Sequence, residues 1–588
     1  MILHELKRLA EREHLLADEA YGPQKIHYVI SIDREGRYLG ITPTLEPPPT
    51  GRGKPQPKLF QAPSPLGRRT SGDKANFLFD KADYVFGVGS GNEAKLANRK
   101  RLFRDEIDSA LAETDDEGLR AVRSFLDRVD GGEVTLPISD PVEGAVFSFW
   151  DIEAHDRLIS DRDAVRTYWQ NRRGAGSGET GVCILCGLEG PIVRNHPEIK
   201  NVPGGNSAGV AIVTFNNSAQ WSYGFGDDDR HRNAPFCRSC ADAYTRALNR
   251  LLALDPGFPH PTRPDDHLPV QNYRLSSDTV VVFWSTDDEF AGRFGRLLHG
   301  NPEAVKELFK APFTGRQPEV ARSRFFAIIL SGAQGRAILR SAVMSTVAEA
   351  ARNLQAHFQD LDLVPQYEND PDVLGLRDLL SSLKAKGRET TVAPALLQEM
   401  FESAVLGRPY PLALLDASLR RLRAGEPFTR ARLAIIKAVL NRRRRFFQRD
   451  DHEEITMALD SRNNDPGYRL GRLFAVLERL QGDAINAPNA TIVDRYYGAA
   501  STTPVVVFPR LLSLAQHHAA KSNRGGYFQK LIEEVANGLE PETAFPSTLS
   551  MEQQGLFALG YYHQRADLWK KRDAAEVPST TDKSEEMS

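Results

Sequence analysis

Hydrophobic and polar residues alternate in several segments of the first half of the chain, as is typical of strands. The segment KIHYVISID ends at DREG and is followed by RYLGI, so residues 25–42 are predicted to form a β-hairpin. Apolar runs at 279–285, 324–330 and 336–344 predict three more strands, and GVAIVTFN at 209–216 predicts another. The first half therefore combines strands with helices.

Helical periodicity dominates the remaining segments. Residues 91–130 are predicted to be helical, and their spacing places five apolar side chains on one face: Leu119, Val122, Phe125, Leu126 and Val129. From about 345 onward nearly everything is predicted to be helical. After SRNNDPGY a further amphipathic face follows, formed by Leu470, Leu473, Phe474, Leu477 and Leu480. These later segments predict a helical bundle.

The composition of the chain argues against a membrane protein and against a secreted protein. The chain has 588 residues, 41% of them hydrophobic and 26% charged, with a formal net charge of −3. We find no run of about 18 uncharged apolar residues that would cross a bilayer. The first residues mix charges into apolar positions, unlike a signal peptide. We therefore expect a cytoplasmic protein with no membrane partner.

All four cysteines lie in two C-x-x-C pairs, within GVCILCG and PFCRSC. Two such pairs supply a complete set of four thiolates for one tetrahedral ion, so Cys183, Cys186, Cys237 and Cys240 are predicted to bind a structural zinc ion. The fifty residues between the pairs exceed the usual zinc-ribbon spacing and predict an insertion. Unmetallated buried pairs and a thioredoxin-like redox role are the alternatives.

A nuclease is a further interpretation of this segment, because zinc-stapled HNH nucleases also place histidines between such pairs. His196 or His231 would then be a general base, with Asn233 assisting. The acid and histidine ligands that a catalytic metal needs do not occur at a recognisable spacing. Phosphate-loop and H-E-x-x-H motifs do not occur in the sequence either, which agrees with a protein that has no enzymatic activity.

The fold class predicted from these patterns is α+β. A mixed N-terminal part with a zinc-ribbon-like insertion precedes an all-α C-terminal helical bundle. The predicted divisions are an α+β region with a basic loop (1–150), a zinc-ribbon-like region (151–275), an α+β region (276–365), a basic helical region (366–455), the C-terminal bundle (456–572) and a disordered tail (573–588).

Several segments together resemble one known family. They are KIHYVISID, RRTSGDKANFLFDKADYVFGVG, HPEIKNVPGGNSAGVAIVTFN, WSYGF with RNAP, DTVVVFW, LGRPYPLALLDASLRRLR and DPGYRLGRLFAVLERLQ. In this order, from residue 1 to about 570, the chain resembles the large subunit of Cascade, the type I-C CRISPR surveillance complex of antiviral defence. The second cysteine pair departs from the family pattern, so zinc is predicted from the spacing alone.

The resemblance implies a non-catalytic subunit that binds DNA. It would read the protospacer-adjacent motif (PAM), help to open the R-loop and present the displaced strand to a separate helicase-nuclease. Its partners would be the guide-RNA-containing backbone and small subunits of Cascade, target double-stranded DNA and the displaced strand. Family members are thought to yield a separate small subunit from an internal start, and Met457 precedes the bundle here.

Three segments are candidate nucleic-acid contacts. In the loop GRRTSGDKANF, basic side chains, hydroxyls and an amide suit phosphates and base edges: Arg68, Arg69, Thr70, Ser71, Lys74 and Asn76. A second segment carries amides beside aromatic rings, with Gln220 and Asn233 as the predicted contacts near Trp221. The third is the helical run Arg442, Arg443, Arg444 and Arg445 beside Phe446 and Phe447. A solvated loop, core packing of the aromatic side chains and a solvated helix end are the respective alternatives.

Overall fold

The computed structural model describes residues 2–16, 20–46, 55–65, 73–89, 92–134, 144–154, 156–174, 179–215, 218–221, 225–226, 229–254, 257–259, 266–310, 323–385, 392–447, 454–485, 489–540 and 544–569. The chain folds into two compact units. Unit 1 comprises Met1–Asn272, Ser277–Val282 and Leu330–Leu339. Unit 2 comprises Tyr273–Ser276, Phe283–Ile329 and Arg340–Ser588. The mixed N-terminal part and the helical C-terminal part confirm the predicted fold class.

Unit 1 contains short strands and six α-helices among the described residues. The strands are β1 (Tyr21–Lys25), β2 (Tyr28–Ile32), β3 (Tyr38–Pro43), β4 (Leu45–Glu46), β5 (Gln56–Pro57), β6 (Leu59–Pro63), β7 (Asp80–Lys81), β8 (Val146–Phe149), β9 (Thr180–Val182), β10 (Glu189–Pro191), β11 (Phe258–Pro259) and β12 (His267–Leu268). The helices are α1 (Ile2–Arg12), α2 (Ala82–Val85), α3 (Glu93–Glu113), α4 (Glu117–Asp130), α5 (Asp163–Gly174) and α6 (Arg238–Leu251).

The N-terminal sheet has the order β3–β2–β8–β7. Strands β2 and β3 pair antiparallel, with Ile30 opposite Ile41, which confirms the predicted hairpin. Strand β8 is parallel to β2, although it follows more than a hundred residues later. The apolar face of α4 is buried in the same core, because Leu119, Val122, Phe125 and Leu126 recur at helical spacing.

A second four-stranded sheet has the order β13–β14–β15–β16. The strands are β13 (Asn272–Arg274), β14 (Thr279–Ser285), β15 (Arg324–Ala333) and β16 (Arg336–Thr346). The three strands predicted here are confirmed. The strand predicted at 209–216 is wrong: Val210 and Ala211 make only isolated bridges, and Gly209 at φ +118° interrupts extended backbone.

Unit 2 is predominantly helical. Its helices are α7 (Asp288–Leu298), α8 (Pro302–Lys310), α9 (Val347–Leu361), α10 (Leu376–Ser382), α11 (Pro394–Leu406), α12 (Leu412–Arg423), α13 (Arg430–Phe446), α14 (Pro466–Ala484), α15 (Ile492–Ala500), α16 (Pro504–Lys521), α17 (Gly525–Ala536) and α18 (Met551–Trp569). The apolar face predicted on α14 is fully buried. The all-helical character predicted after residue 345 is therefore confirmed for the described residues, apart from the end of β16.

Helices α14 and α18 approach each other more closely than side chains normally allow. A Cβ atom on Gly471 would lie 2.0 Å from the Phe557 carbonyl oxygen, and one on Gly560 would lie 2.1 Å from the Tyr468 carbonyl oxygen. Glycine is therefore required at both positions, since any larger residue would push the two backbones apart. On its other side α18 contacts α12 and α13: a Cβ on Gly555 would touch Leu415, Ile436 and Leu440.

Candidate metal centre and nucleic-acid interface

The four cysteines converge on one point in unit 1. Their Sγ atoms all lie within 4.8 Å of one another, and the Cys186 and Cys237 sulfurs are 3.8 Å apart. Four Zn–S bonds of about 2.3 Å in a tetrahedron place the sulfurs about 3.8 Å apart, whereas a disulfide needs about 2.05 Å. The cluster therefore has the dimensions of a four-thiolate metal site.

Local backbone structure explains how each pair forms a turn around this point. Cys183 follows β9, and the chain returns through Gly187, whose φ of +75° favours glycine. Within this turn the Gly187 N–H donates to the Cys183 carbonyl at 2.8 Å, and the Cys183 N–H donates to that of Leu188 at 3.0 Å. The second pair lies at the start of α6, where Cys237 is the N-cap residue.

Backbone hydrogen bonds join the two turns directly. The N–H of Ile184 donates to the Pro235 carbonyl at 2.9 Å, and the N–H of Val193 donates to that of Phe236 at 2.8 Å. Because these bonds hold the two turns together, the sulfurs of Cys186 and Cys237 are close although the residues are 51 positions apart in sequence. The insertion predicted from the long spacing is thus accommodated outside the cluster.

The environment of the thiols suits a cation. Burial alone would raise the pKa of Cys183, but backbone hydrogen bonds from Cys186, Cys237 and Leu185 lower it to about 7. Burial raises the pKa of Cys240, and the neighbouring thiols raise it further. Four thiolates cannot share so small a volume unless a positive ion offsets their repulsion. These residues can hold a metal ion.

The histidines that the nuclease interpretation singles out have protein partners. His196 is buried, its Nδ1 lies 2.6 Å from the Tyr244 hydroxyl, and its ring packs edge-on against Phe236. The Asn233 amide donates to the carbonyls of Phe225 and Arg230, at 3.2 and 2.9 Å. Among the residues that the structure describes, the four cysteines are the one group of three or more potential metal ligands.

His231 is held by Glu179, a partner that sequence reasoning missed. The His231 Nε2 and the Arg232 guanidinium both bond to the Glu179 carboxylate. Slight desolvation would raise the pKa of Glu179, but these hydrogen bonds lower it. No sequence signal marks Glu179, because it lies more than fifty residues from His231 and outside any motif.

Part of the predicted basic loop lies in the described residues. Arg68, Arg69, Thr70 and Ser71 lie outside them, and so does the Gln220 side chain. Lys74 is exposed. The Asn76 N–H donates to the Asp80 carboxylate at 2.8 Å, and Asp73 pairs with Arg99, so the end of this loop is anchored to α3. Trp221 is half-buried, and its Nε1 donates to the Phe215 carbonyl.

The four consecutive arginines at the end of α13 differ in how deeply they are buried. Arg442 is 4% exposed, and its Nε donates to the buried Asp360 carboxylate at 2.6 Å. Arg445 bonds to the same carboxylate and also pairs with Glu454. Arg443 is half-buried and lies 5.1 Å from the centroid of the Phe447 ring. Phe446 and Phe447 are exposed, so this helix end presents aromatic rings beside positive charge.

No α-helix in the described part of the chain has both the length and the apolar composition that a bilayer crossing requires. Residues 3–569 match the model of a family described as CRISPR-associated protein (Cas_Csd1). No curated protein matches the chain.

Proposed function

We propose that this chain, which belongs to the Cas_Csd1 family of CRISPR-associated proteins, is the non-catalytic, DNA-binding large subunit of a type I-C Cascade. In this role it reads the PAM on foreign duplex, assists R-loop formation and presents DNA to a separate helicase-nuclease in the cytoplasm. The observation that carries the proposal is the family match, since it extends over nearly the whole chain.

The division of labour in such complexes explains what this subunit has to do. Guide RNA reads most of the target by base pairing, and protein reads only a short flanking duplex motif. A protein with that task needs cationic loops for phosphates and a few donors for base edges. The exposed Lys74 and the cationic, aromatic end of α13 are surfaces of this kind among the described residues.

The metal in this proposal is zinc, and its role is structural. The sulfur spacing and the all-thiolate donor set favour Zn²⁺, and four protein ligands leave no open position for a substrate or water. The metal would supply folding free energy to a segment rich in loops. Cys183, Cys186, Cys237 and Cys240 would hold it, while β9, β10 and α6 orient the thiols.

Binding of flanked duplexes tests the proposed function. The complex assembled with its guide RNA is titrated with duplexes that share one protospacer and differ only in the flanking trinucleotide. We expect affinities that differ by about tenfold or more between flanks, because one mismatched base pair costs about 1–3 kcal/mol. Equal affinities for every flank would overturn motif reading and leave a scaffold role.

A nuclease assay tests the metal-dependent alternative. The purified chain is incubated with duplex or single-stranded DNA and Mg²⁺ or Mn²⁺, and we expect the DNA to remain intact. If cleavage occurs and His196→Ala abolishes it while the zinc content is unchanged, the chain is a nuclease. That result would reject the non-catalytic role directly, whatever the flank dependence of binding.

A further inference from the structure

A small cavity of about 30 Å³ lies among residues of the cysteine region in unit 1. Its wall is formed by Arg194, Asn195, His196, Val213, Thr214, Phe215, Arg230, His231 and Ala234. Arg194 and Asn195 are exposed, so the cavity reaches the surface. About 10–15 Å³ of such volume is enough to hold one water molecule, so the cavity has room for small polar groups. The cavity therefore admits the oxygen atoms of a ligand.

The wall is positively charged. Arg194 and Arg230 contribute two permanent charges, and none of the described lining residues is acidic. The Glu179 carboxylate, which bonds to the lining residue His231, is also bonded to Arg232. A concave site with an excess of positive charge and polar donors suits an anion, and guanidinium groups suit the geometry of phosphate oxygens in particular.

His231 adds a buried polar atom without a partner. The residue is only 7% exposed, and its Nε2 bonds to the Glu179 carboxylate. Its Nδ1 is shielded from solvent and has no hydrogen-bond partner among the described residues. A buried polar atom left unpaired costs about 1–3 kcal/mol, so such an atom in a cavity wall needs an explanation. A bound acceptor would supply one.

We propose that this cavity binds one phosphate group of a nucleic-acid backbone. With Nε2 of His231 bonded to Glu179, its Nδ1 is the atom that donates to a phosphate oxygen, and Arg194 and Arg230 donate to the remaining oxygens. The carboxylate of Glu179 fixes the ring, so His231 is oriented before the ligand arrives. This inference rests on the proposed DNA-binding function and assigns one contact to it.

The first test uses inorganic phosphate as the probe and does not depend on DNA binding. The melting temperature of the full chain is measured with increasing phosphate, with chloride at equal ionic strength as the reference. We expect phosphate to stabilise the wild type, and we expect His231→Gln and Arg230→Gln to lose that stabilisation. His267→Gln removes an exposed histidine elsewhere in unit 1 and serves as the control, retaining the full effect.

The second test uses DNA. In the assembled complex, Arg230→Gln and His231→Gln are expected to weaken duplex binding about fivefold to tenfold. They should also reduce the slope of log affinity against log salt by about 0.9, the value for one phosphate that the protein no longer neutralises. If His231→Gln does not fold, Arg230→Gln decides the test, because its side chain does not contribute to the Glu179 bonds.

The outcomes separate the two proposals. Phosphate stabilisation that persists in folded Arg230→Gln overturns the cavity as an anion site, even if the complex still distinguishes flanks. Loss of phosphate stabilisation with unchanged DNA binding overturns the nucleic-acid assignment and leaves a site for a free phosphate. A complex that ignores flanks refutes motif reading, while the phosphate result for the isolated chain stands by itself.

Discussion

At the residue scale, burial separates arginines that adjoin each other in sequence. Arg442 is 4% exposed and Asp360 is 2% exposed, and the two form a buried ion pair. Breaking such a buried pair by removing one partner typically costs about 3–5 kcal/mol. Arg442→Ala would therefore lower the stability of the protein as well as remove any nucleic-acid contact, and a binding assay would not distinguish the two effects. Arg443 and Arg444 are better probes, and the DNA-contact role of all four arginines stays a prediction.

The cysteine cluster leads to a prediction at the same scale. We expect Cys237→Ser to lower the zinc content from about one equivalent to nearly none, because three thiolates and a hydroxyl no longer form a closed site. The part of the folding free energy that depends on the metal is then lost. A loss of about 2 kcal/mol in the free energy of unfolding corresponds to a fall of roughly 4–8 °C in melting temperature for a domain of this size. Elemental analysis and thermal melts measure both effects.

The matched control is Val182→Ser, which changes an exposed residue next to Cys183 and should keep the metal. A metal-free wild type that melts at the same temperature with and without added zinc would contradict a structural role for the ion. In that case the alternative of buried, unmetallated pairs would be favoured.

At the element scale, helix α13 has two different sections. Its first turns are buried on all sides, and polar groups there bond to neighbouring segments, as when Lys437 donates to the carbonyls of Gln359 and Asp360. Its last turn carries the half-buried Arg443 and Arg444, and the Arg443 guanidinium lies 5.1 Å from the ring of exposed Phe447. Aromatic stacking combined with positive charge is the combination that binds single strands without regard to sequence.

We therefore predict that the double variant Arg443→Ala, Arg444→Ala weakens single-stranded DNA binding about tenfold. It should also reduce the slope of log affinity against log salt concentration by about 0.7 for each phosphate that the protein no longer neutralises. Fluorescence anisotropy over a salt series measures both quantities. The control is Arg34→Ala, Arg37→Ala, which removes the same charge from exposed positions in unit 1. Equal weakening in both double variants would indicate a general charge effect and reject a specific site on α13.

At the scale of the whole molecule, the C-terminal bundle packs both on itself and on the helices before it. Helices α14 and α18 are in backbone contact, and α18 also packs on α12 and α13. Met457 is 51% exposed, and its carbonyl accepts a hydrogen bond from the Val364 N–H at 2.9 Å. A product starting at Met457 would keep the contact between α14 and α18 but expose the face of α18 that α12 and α13 cover.

We predict that Met457→Leu abolishes a short product beginning at residue 457 without changing the amount of full-length chain. Leucine conserves the size and apolar character of the side chain, so an effect on folding is not expected. Immunoblotting of a C-terminal tag, with mass spectrometry of the short band, measures the result. Met551→Leu is the control, and persistence of the same band in Met457→Leu would reject the internal start.

The sequence by itself determined features that depend on neighbouring residues. Periodicity of two or 3.6 residues located the hairpin of β2 and β3, the strands β14 to β16 and the buried faces of α4 and α14. The spacing of the cysteines was sufficient to predict their clustering. These features follow from the sequence because backbone geometry and side-chain spacing decide which residues share a face or a turn.

Only the tertiary structure decided which distant residues meet. Asp360 lies 82 positions from Arg442, and Glu179 lies 52 positions from His231. The same holds for the parallel pairing of β2 with β8 and for the glycine contacts of α14 with α18. Local sequence patterns predict that a charged residue is exposed, but a buried charge is tolerated where the path of the chain brings a partner of opposite charge to it. That path depends on contacts over the entire fold.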